Sequence, residues 1–296
     1  MPFGYRRASS RRRRNADGQR GWVQEIGFSE NRSSSGVVGY EGKGFGMAGG
    51  TETVRGDSAM GLAFAIMSTS IGDTGRPVGS SQTATTVEGG AYWREGNEGL
   101  NLGASVNGGW AFLQSHRDLL EQSGSDNATF FREAKASWNG AIASSELSIA
   151  YRASLGRFFV KPEAMAEYVL LYESGYTESG AGNAVDLSVN SKLNKEGLVQ
   201  ADTVFGASFG DAIRWTPSLT IGWRQIVTGG PSNTTAHFQG GQSFTLSPDF
   251  QDKGGLLARL GLRASGNFAD FSANAGGVFR TGYDSVDARA TARFLF

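Results

Sequence analysis

Cysteine is absent from the 296 residues, and histidine occurs only at His116 and His237. Without Cys there is no disulfide framework, no thiolate metal site and no Cys nucleophile. Two distant His leave little for a zinc or Ser-His-Asp site. Long apolar runs are lacking too. The longest strongly apolar stretch is Met60 to Met67, whereas a membrane-spanning helix needs about 20 residues. Net charge is also missing, with 28 basic and 28 acidic side chains, so the composition carries no bias towards nucleic acid. What is present argues against disorder: 39% hydrophobic residues, with 19 Phe, 8 Tyr and 6 Trp. The 44 Gly follow no collagen period and belong to turns or strands. A mean hydropathy of −0.29 looks soluble. A transmembrane β-barrel looks equally hydrophilic on average, because only every second residue of a strand about ten residues long must be apolar. The choice is between a soluble all-β protein and a membrane barrel.

Period two dominates the sequence. From Phe158 to Glu173 one face carries Phe158, Val160, Pro162, Ala164, Ala166, Tyr168, Leu170 and Tyr172, while the other carries Lys161, Glu163, Glu167 and Glu173. Trp215, Pro217, Leu219, Ile221 and Trp223 alternate with Thr216, Ser218, Thr220 and Arg224. Leu256, Ala258, Leu260, Leu262 and Ala264 alternate with Arg259, Arg263 and Ser265, and Val286 to Phe296 repeats the pattern against Asp287, Arg289 and Arg293. Aromatics sit near the ends of the apolar faces, as bilayer interfaces favour. Sandwich strands usually run about 5 or 6 residues, so alternation this long favours the membrane barrel.

Turn signals divide the chain into twelve strands, near 20–29, 43–52, 59–69, 83–95, 98–113, 131–154, 158–173, 198–210, 214–227, 255–265, 268–280 and 285–296, with Gly140 as a candidate kink and the upper part of the sixth as an extracellular extension. Connections alternate. Short ones fall at 53–58, 96–97, 155–157, 211–213 and 266–267; long ones fall at 31–42, 70–82, 114–130, 174–197 and 228–254. Only the last hairpin, around 281–284, breaks the parity. Short periplasmic turns and long outer loops are a membrane-barrel signature. The fold class is therefore all-β: a single transmembrane antiparallel β-barrel of about 12 strands over residues 20–296. Its inward charged positions are Glu25, Glu88, Arg94, Arg152, Lys161, Glu163, Glu167, Asp202, Arg214, Arg224, Arg259, Arg263, Asp287, Arg289 and Arg293. Facing lipid at the midplane, an Arg or Lys would cost about 2–4 kcal/mol, which the lumen avoids.

These pieces, in order, resemble the C-terminal translocator β-domain of autotransporters, the type V secretion system. The resemblance covers about residues 20–296. It rests on Trp22 opening the first strand, GFGMAGGTE and AMGLAFAIMSTS in the second and third, and AKASWNG at Ala134–Gly140. It continues with FVKPEAMAEYVLLYESGYTESG at Phe159–Gly180, then WTPSLTIGWRQ and the ending ARATARFLF. It implies a twelve-stranded barrel in the outer membrane of a Gram-negative bacterium, plugged by an α-helical linker. The implied activity is export of an N-terminal passenger without ATP or metal. The implied partners are outer-membrane lipids, periplasmic chaperones, the barrel-assembly machinery and the protein's own or lost passenger. A terminal aromatic, here Phe296, would be read by that machinery. The alternative is a stand-alone porin-like outer-membrane channel or surface barrel.

Residues 1–19 are basic and read as a disordered remnant or linker. The first 20 residues hold seven Arg and one acid, with no apolar core of a signal peptide and no helical period. A barrel reaches the outer membrane only by export, so the chain reads as a fragment, a mis-assigned start or an orphaned translocator piece. Arg11–Arg14 could suggest nucleic acid, but the remaining 21 basic against 27 acidic residues give it no support, and no nucleic-acid partner is expected. His116, beside Arg117 and Asp118, and His237 read as loop residues; Glu163 and Glu167 read as ion-paired lumen carboxylates. The expectation is no enzyme: no catalytic residues, no cofactor and no metal.

Overall fold

The computed structural model describes residues 18–33, 39–74, 79–97, 99–122, 129–248 and 253–295. Its strands are β1 (Gly18–Arg32), β2 (Gly39–Arg55), β3 (Ser58–Thr74), β4 (Ser80–Asn97), β5 (Leu100–Gln122), β6 (Thr129–Tyr151), β7 (Ala153–Leu155), β8 (Phe158–Glu173), β9 (Tyr176–Thr177), β10 (Leu187–Val189), β11 (Lys192–Ala207), β12 (Arg214–Gly230), β13 (Thr234–Phe238), β14 (Phe244–Leu246), β15 (Gly254–Ser265), β16 (Ala269–Arg280) and β17 (Tyr283–Leu295). No helix occurs among the described residues. Twelve strands pair antiparallel with their neighbours in the order β1-β2-β3-β4-β5-β6-β8-β11-β12-β15-β16-β17, and β17 pairs with β1 from Tyr283↔Arg32 to Leu295↔Arg20. The sheet is closed and has no barrel edge. β7 continues the sixth wall strand after a break at Arg152 and pairs with β8.

All twelve expected strands are present, most of them longer than expected, and three departures have physical reasons. The segment 114–130 is ladder for most of its length: β5 and β6 stay paired from Gln114↔Ser137 to Gln122↔Thr129. Above the membrane both faces are wet, so the apolar alternation stops at Leu113 although the backbone pairing does not. β11 starts at Lys192 rather than 198, because its ladder with β8 continues unbroken to Lys192↔Glu173 although the polar run NKEG shows no apolar alternation. β6 runs uninterrupted through Gly140, and a Cβ there would come within 2.5 Å of the Tyr172 carbonyl oxygen. The glycine thus serves close strand approach, and the interruption falls at Arg152 instead. The upper part of β6 does extend past β8, whose pairing ends at Gly140↔Glu173.

The outer surface carries the apolar face read from the sequence. Phe158, Tyr168 and Tyr172 on β8, Trp215 and Trp223 on β12 and Leu256, Leu260 and Leu262 on β15 are all exposed. In a bilayer this exposure is burial in lipid. Connections at one end are tight, with Gly56 and Gly156 at positive φ. The turn at Thr281–Gly282 is the one short connection at the other end among the described residues, as the sequence indicated. Two of the long connections build a second sheet, in the order β14-β13-β10-β9, over that end. Residues 1–17, which hold most of the basic segment and any linker, and Phe296 lie outside the described residues.

Candidate functional site in the barrel lumen

The pleat of each strand sends alternate side chains into the barrel. Glu88, Arg94, Arg152, Lys161, Glu163, Glu167, Asp202, Arg214, Arg224, Arg259, Arg263, Asp287, Arg289 and Arg293 take the inward positions, as expected. Glu25 does not. Trp22, Gln24 and Ile26 are the buried, inward residues of β1, and Glu25 lies exposed on the outer face between Ala290 of β17 and Met47 of β2. Both faces of β1 mix polar and apolar residues, so alternation alone does not choose its orientation.

Near the short-turn end, a connected chain of side chains lines the wall. The Trp22 indole N–H donates to the Tyr92 hydroxyl at 3.0 Å, and that hydroxyl donates to Glu52 Oε2 at 3.2 Å. Arg94 closes on the same carboxylate with Nε at 3.2 Å and Nη2 at 2.7 Å. Glycines make room for the rings: a Cβ on Gly50 would meet the Trp22 ring at 2.8 Å, and Gly61 lies against the Tyr92 ring. The aromatics therefore lie along the wall and leave the interior open. Lys161 pairs with Glu163, Arg263 with Asp270 at 2.9 Å, and Arg152 stacks 3.7 Å from the Phe159 centroid.

Half-way up, Arg259 and Arg289 share Asp287 at 2.6 and 3.1 Å. Glu146 faces Glu167 in register on the neighbouring strand. At the far rim Glu173 accepts from the Trp138 indole at 3.2 Å and from Asn194 at 2.8 Å. Tyr176 stacks on Trp138 with centroids 4.1 Å apart. Above it Arg117 grips Glu178, and Arg132 donates to the Ala181 carbonyl at 2.7 Å. The Tyr176 phenol is pushed up to about 12, by burial first and then by Glu178 and Glu173.

Sequence reasoning passed over Glu52, Glu146, Glu196 and Arg280. Extending the alternation along GGTETVR and through β6 would have found the first two, whereas Glu196 lies in the polar run NKEG, which shows no apolar alternation to mark a strand. The rim contacts carry no such signal, because they join residues far apart in the chain.

The histidines do not converge. His116 stands on β5, 3.6 Å from Glu133, and His237 pairs with Ser188 in the second sheet. Among the described residues no group of three His, Asp or Glu is placed to hold a metal ion.

The model of the family described as "Autotransporter beta-domain" matches residues 21–277. No curated protein matches by sequence. Among solved structures, the chain is similar to the translocator domain of the autotransporter NalP from Neisseria meningitidis, at 16% identity and a TM-score of 0.67, covering 96% of this chain and 90% of that one. The β-domain of the Bordetella autotransporter BrkA gives 18% identity, a TM-score of 0.62 and coverage of 95% and 100%. The transport unit of AIDA-I from Escherichia coli gives 9%, 0.57 and coverage of 98% and 93%. At these identities the structures speak for the fold, and the family match supplies the rest. A closed twelve-stranded barrel with lipid-facing aromatics, a charged interior and this match over most of its length belongs to the autotransporter β-domain family and is a translocator of the Gram-negative outer membrane.

Proposed function

We propose that the lumen is the path, or part of the path, by which an N-terminal passenger segment reaches the cell surface, and that the barrel contributes binding and confinement rather than bond chemistry. The observation behind this reading is the interior itself: a closed wall lined by charged and hydrogen-bonding groups can replace the hydration of an unfolded chain, which lipid cannot. The reading needs no catalytic step and no cofactor. To test it, an epitope-tagged passenger is fused ahead of residue 1 behind a signal peptide. The tag is expected to become protease-accessible on intact cells. A tag that stays shielded while the barrel is inserted would overturn the reading.

Assembly belongs to the same proposal. Periplasmic chaperones and the barrel-assembly machinery would receive the last strand, β17, whose unpaired edge can add to another sheet before it closes on β1. Deleting Phe296 is expected to leave periplasmic, protease-sensitive chains in cells, while refolding into detergent in vitro stays near normal. Equal loss in both settings would make Phe296 an interface anchor only.

A further inference from the structure

The charges of the middle lumen are sorted by strand. Three consecutive wall strands carry carboxylates: Glu146 on β6, Glu167 opposite it on β8, and Glu196 on β11 opposite Val169. The next four strands carry guanidinium groups: Arg224 on β12, Arg259 on β15, Arg280 on β16 and Arg289 on β17. With Asp287 the acids equal the cations in number, so complete pairing was available to the sequence. Asp287 binds Arg259 and Arg289, yet the Nε atoms of Arg224, Arg259 and Arg280 and the Oε2 atom of Glu146 are buried without a hydrogen-bond partner among the described residues. Buried polar atoms without partners are costly, and a group of them on one wall points to something that binds there. The sheet explains why they do not collapse onto each other: each side chain is anchored to a different strand of a closed wall. The result is a standing field across the lumen, from an arginine arc to a carboxylate arc, in a cavity with low-dielectric walls.

An extended polypeptide presents successive side chains to opposite sides, so one lying along the β11–β12 seam, where the two arcs adjoin, faces carboxylates on one flank and guanidinium groups on the other. We propose that the middle lumen is a two-track binding site for unfolded polypeptide, in which side-chain carboxylates bind along Arg224, Arg259 and Arg280 and side-chain cations bind along Glu146 and Glu196. This rests on the translocator reading and adds the chemistry of what is carried: mixed-charge segments suit both tracks, and a long block of one sign leaves one track unused.

The test uses the full chain in planar bilayers, with hexaglutamate and hexaarginine as probes of current blockade. The wild-type barrel is expected to be blocked by both. Blockade by only one sign would overturn the proposal without any variant. In Arg224→Gln/Arg280→Gln the hexaglutamate residence time should fall about tenfold, the factor for losing one or two charge-assisted contacts, while that of hexaarginine changes less than about twofold. Glu146→Gln/Glu196→Gln should do the reverse. If each pair changes both probes by reciprocal factors, net charge alone governs the lumen and the two tracks do not exist. Passenger display in cells, measured on the same variants, separates the two readings. Normal display with lost blockade selectivity overturns the tracks only, whereas a wild-type barrel that never displays a passenger overturns translocation.

Discussion

Single residues in this wall do one of two jobs, and the penalty for exchanging them is large. Glu52 is fully buried and held by Arg94 and Tyr92. Glu52→Gln leaves the Arg94 guanidinium without its counter-charge, and removing one partner of a buried pair costs about 3 kcal/mol. Urea unfolding in detergent micelles should show that loss, and Glu52→Leu with Arg94→Leu should recover part of it, because the Arg94 charge is then removed with its partner. On the outer face, Leu260 stands mid-strand with its side chain outward. Leu260→Arg should cost about 2–4 kcal/mol in bilayers. An equal cost for Leu260→Arg in lipid-free refolding intermediates would show that the penalty is not lipid contact. At this scale the sequence was legible wherever a strand commits one face wholly to lipid, as Phe158 to Tyr172 and Trp215 to Trp223 do. It failed at Glu25, where Val23, Glu25 and Gly27 on one face and Trp22, Gln24 and Ile26 on the other give no clear choice.

Elements show the same division. The long wall strands were readable because a membrane imposes period two over ten or more residues. The extracellular sheet was not, because strands of two to five residues, such as β9 and β13, are too short to display a period, and their pairing joins separate loops. That sheet has its own pH limit. Tyr176 titrates near 12 in the folded protein, above its ordinary value near 10. A raised folded pKa means that the native state holds the proton more tightly. The stabilisation is complete below about pH 10 and fades as the pH rises towards 12. Tyrosinate absorbance together with protease nicking of loop 174–191 should report release of β9 and β10 over that window while the barrel stays closed. Tyr176→Phe should abolish the nicking transition, and an unchanged transition would assign it elsewhere.

The whole molecule gains its cohesion from closure. Each barrel strand has two paired neighbours, and the β1–β17 seam is laddered along its whole length. Unfolding must therefore break the ring, not peel an edge. Unboiled protein in cold detergent should migrate apart from boiled protein on a gel, and a single band under both conditions would contradict a closed barrel in detergent. Strand count, alternating loop length and family were all recoverable from the amino-acid sequence alone. The separation of lumen charges into arcs was not, because it depends on which strands are neighbours after the ring closes.

The extended β5–β6 hairpin makes the mouth lopsided. From Thr129 to Asn139, β6 rises past the last residue of β8, roughly 35 Å along the strand at about 3.3 Å per residue. The second sheet keeps that side high as far as β12, while β16 and β17 meet in a two-residue turn at the rim. Among the described residues, a chain leaving the pore thus meets a screen beside β5 to β12 and a low wall at β16–β17. Excluded volume removes conformations only where the screen stands, so the emerging chain is steered by entropy towards the low rim at β16–β17, and whatever folds at the surface starts from a fixed compass direction relative to the barrel.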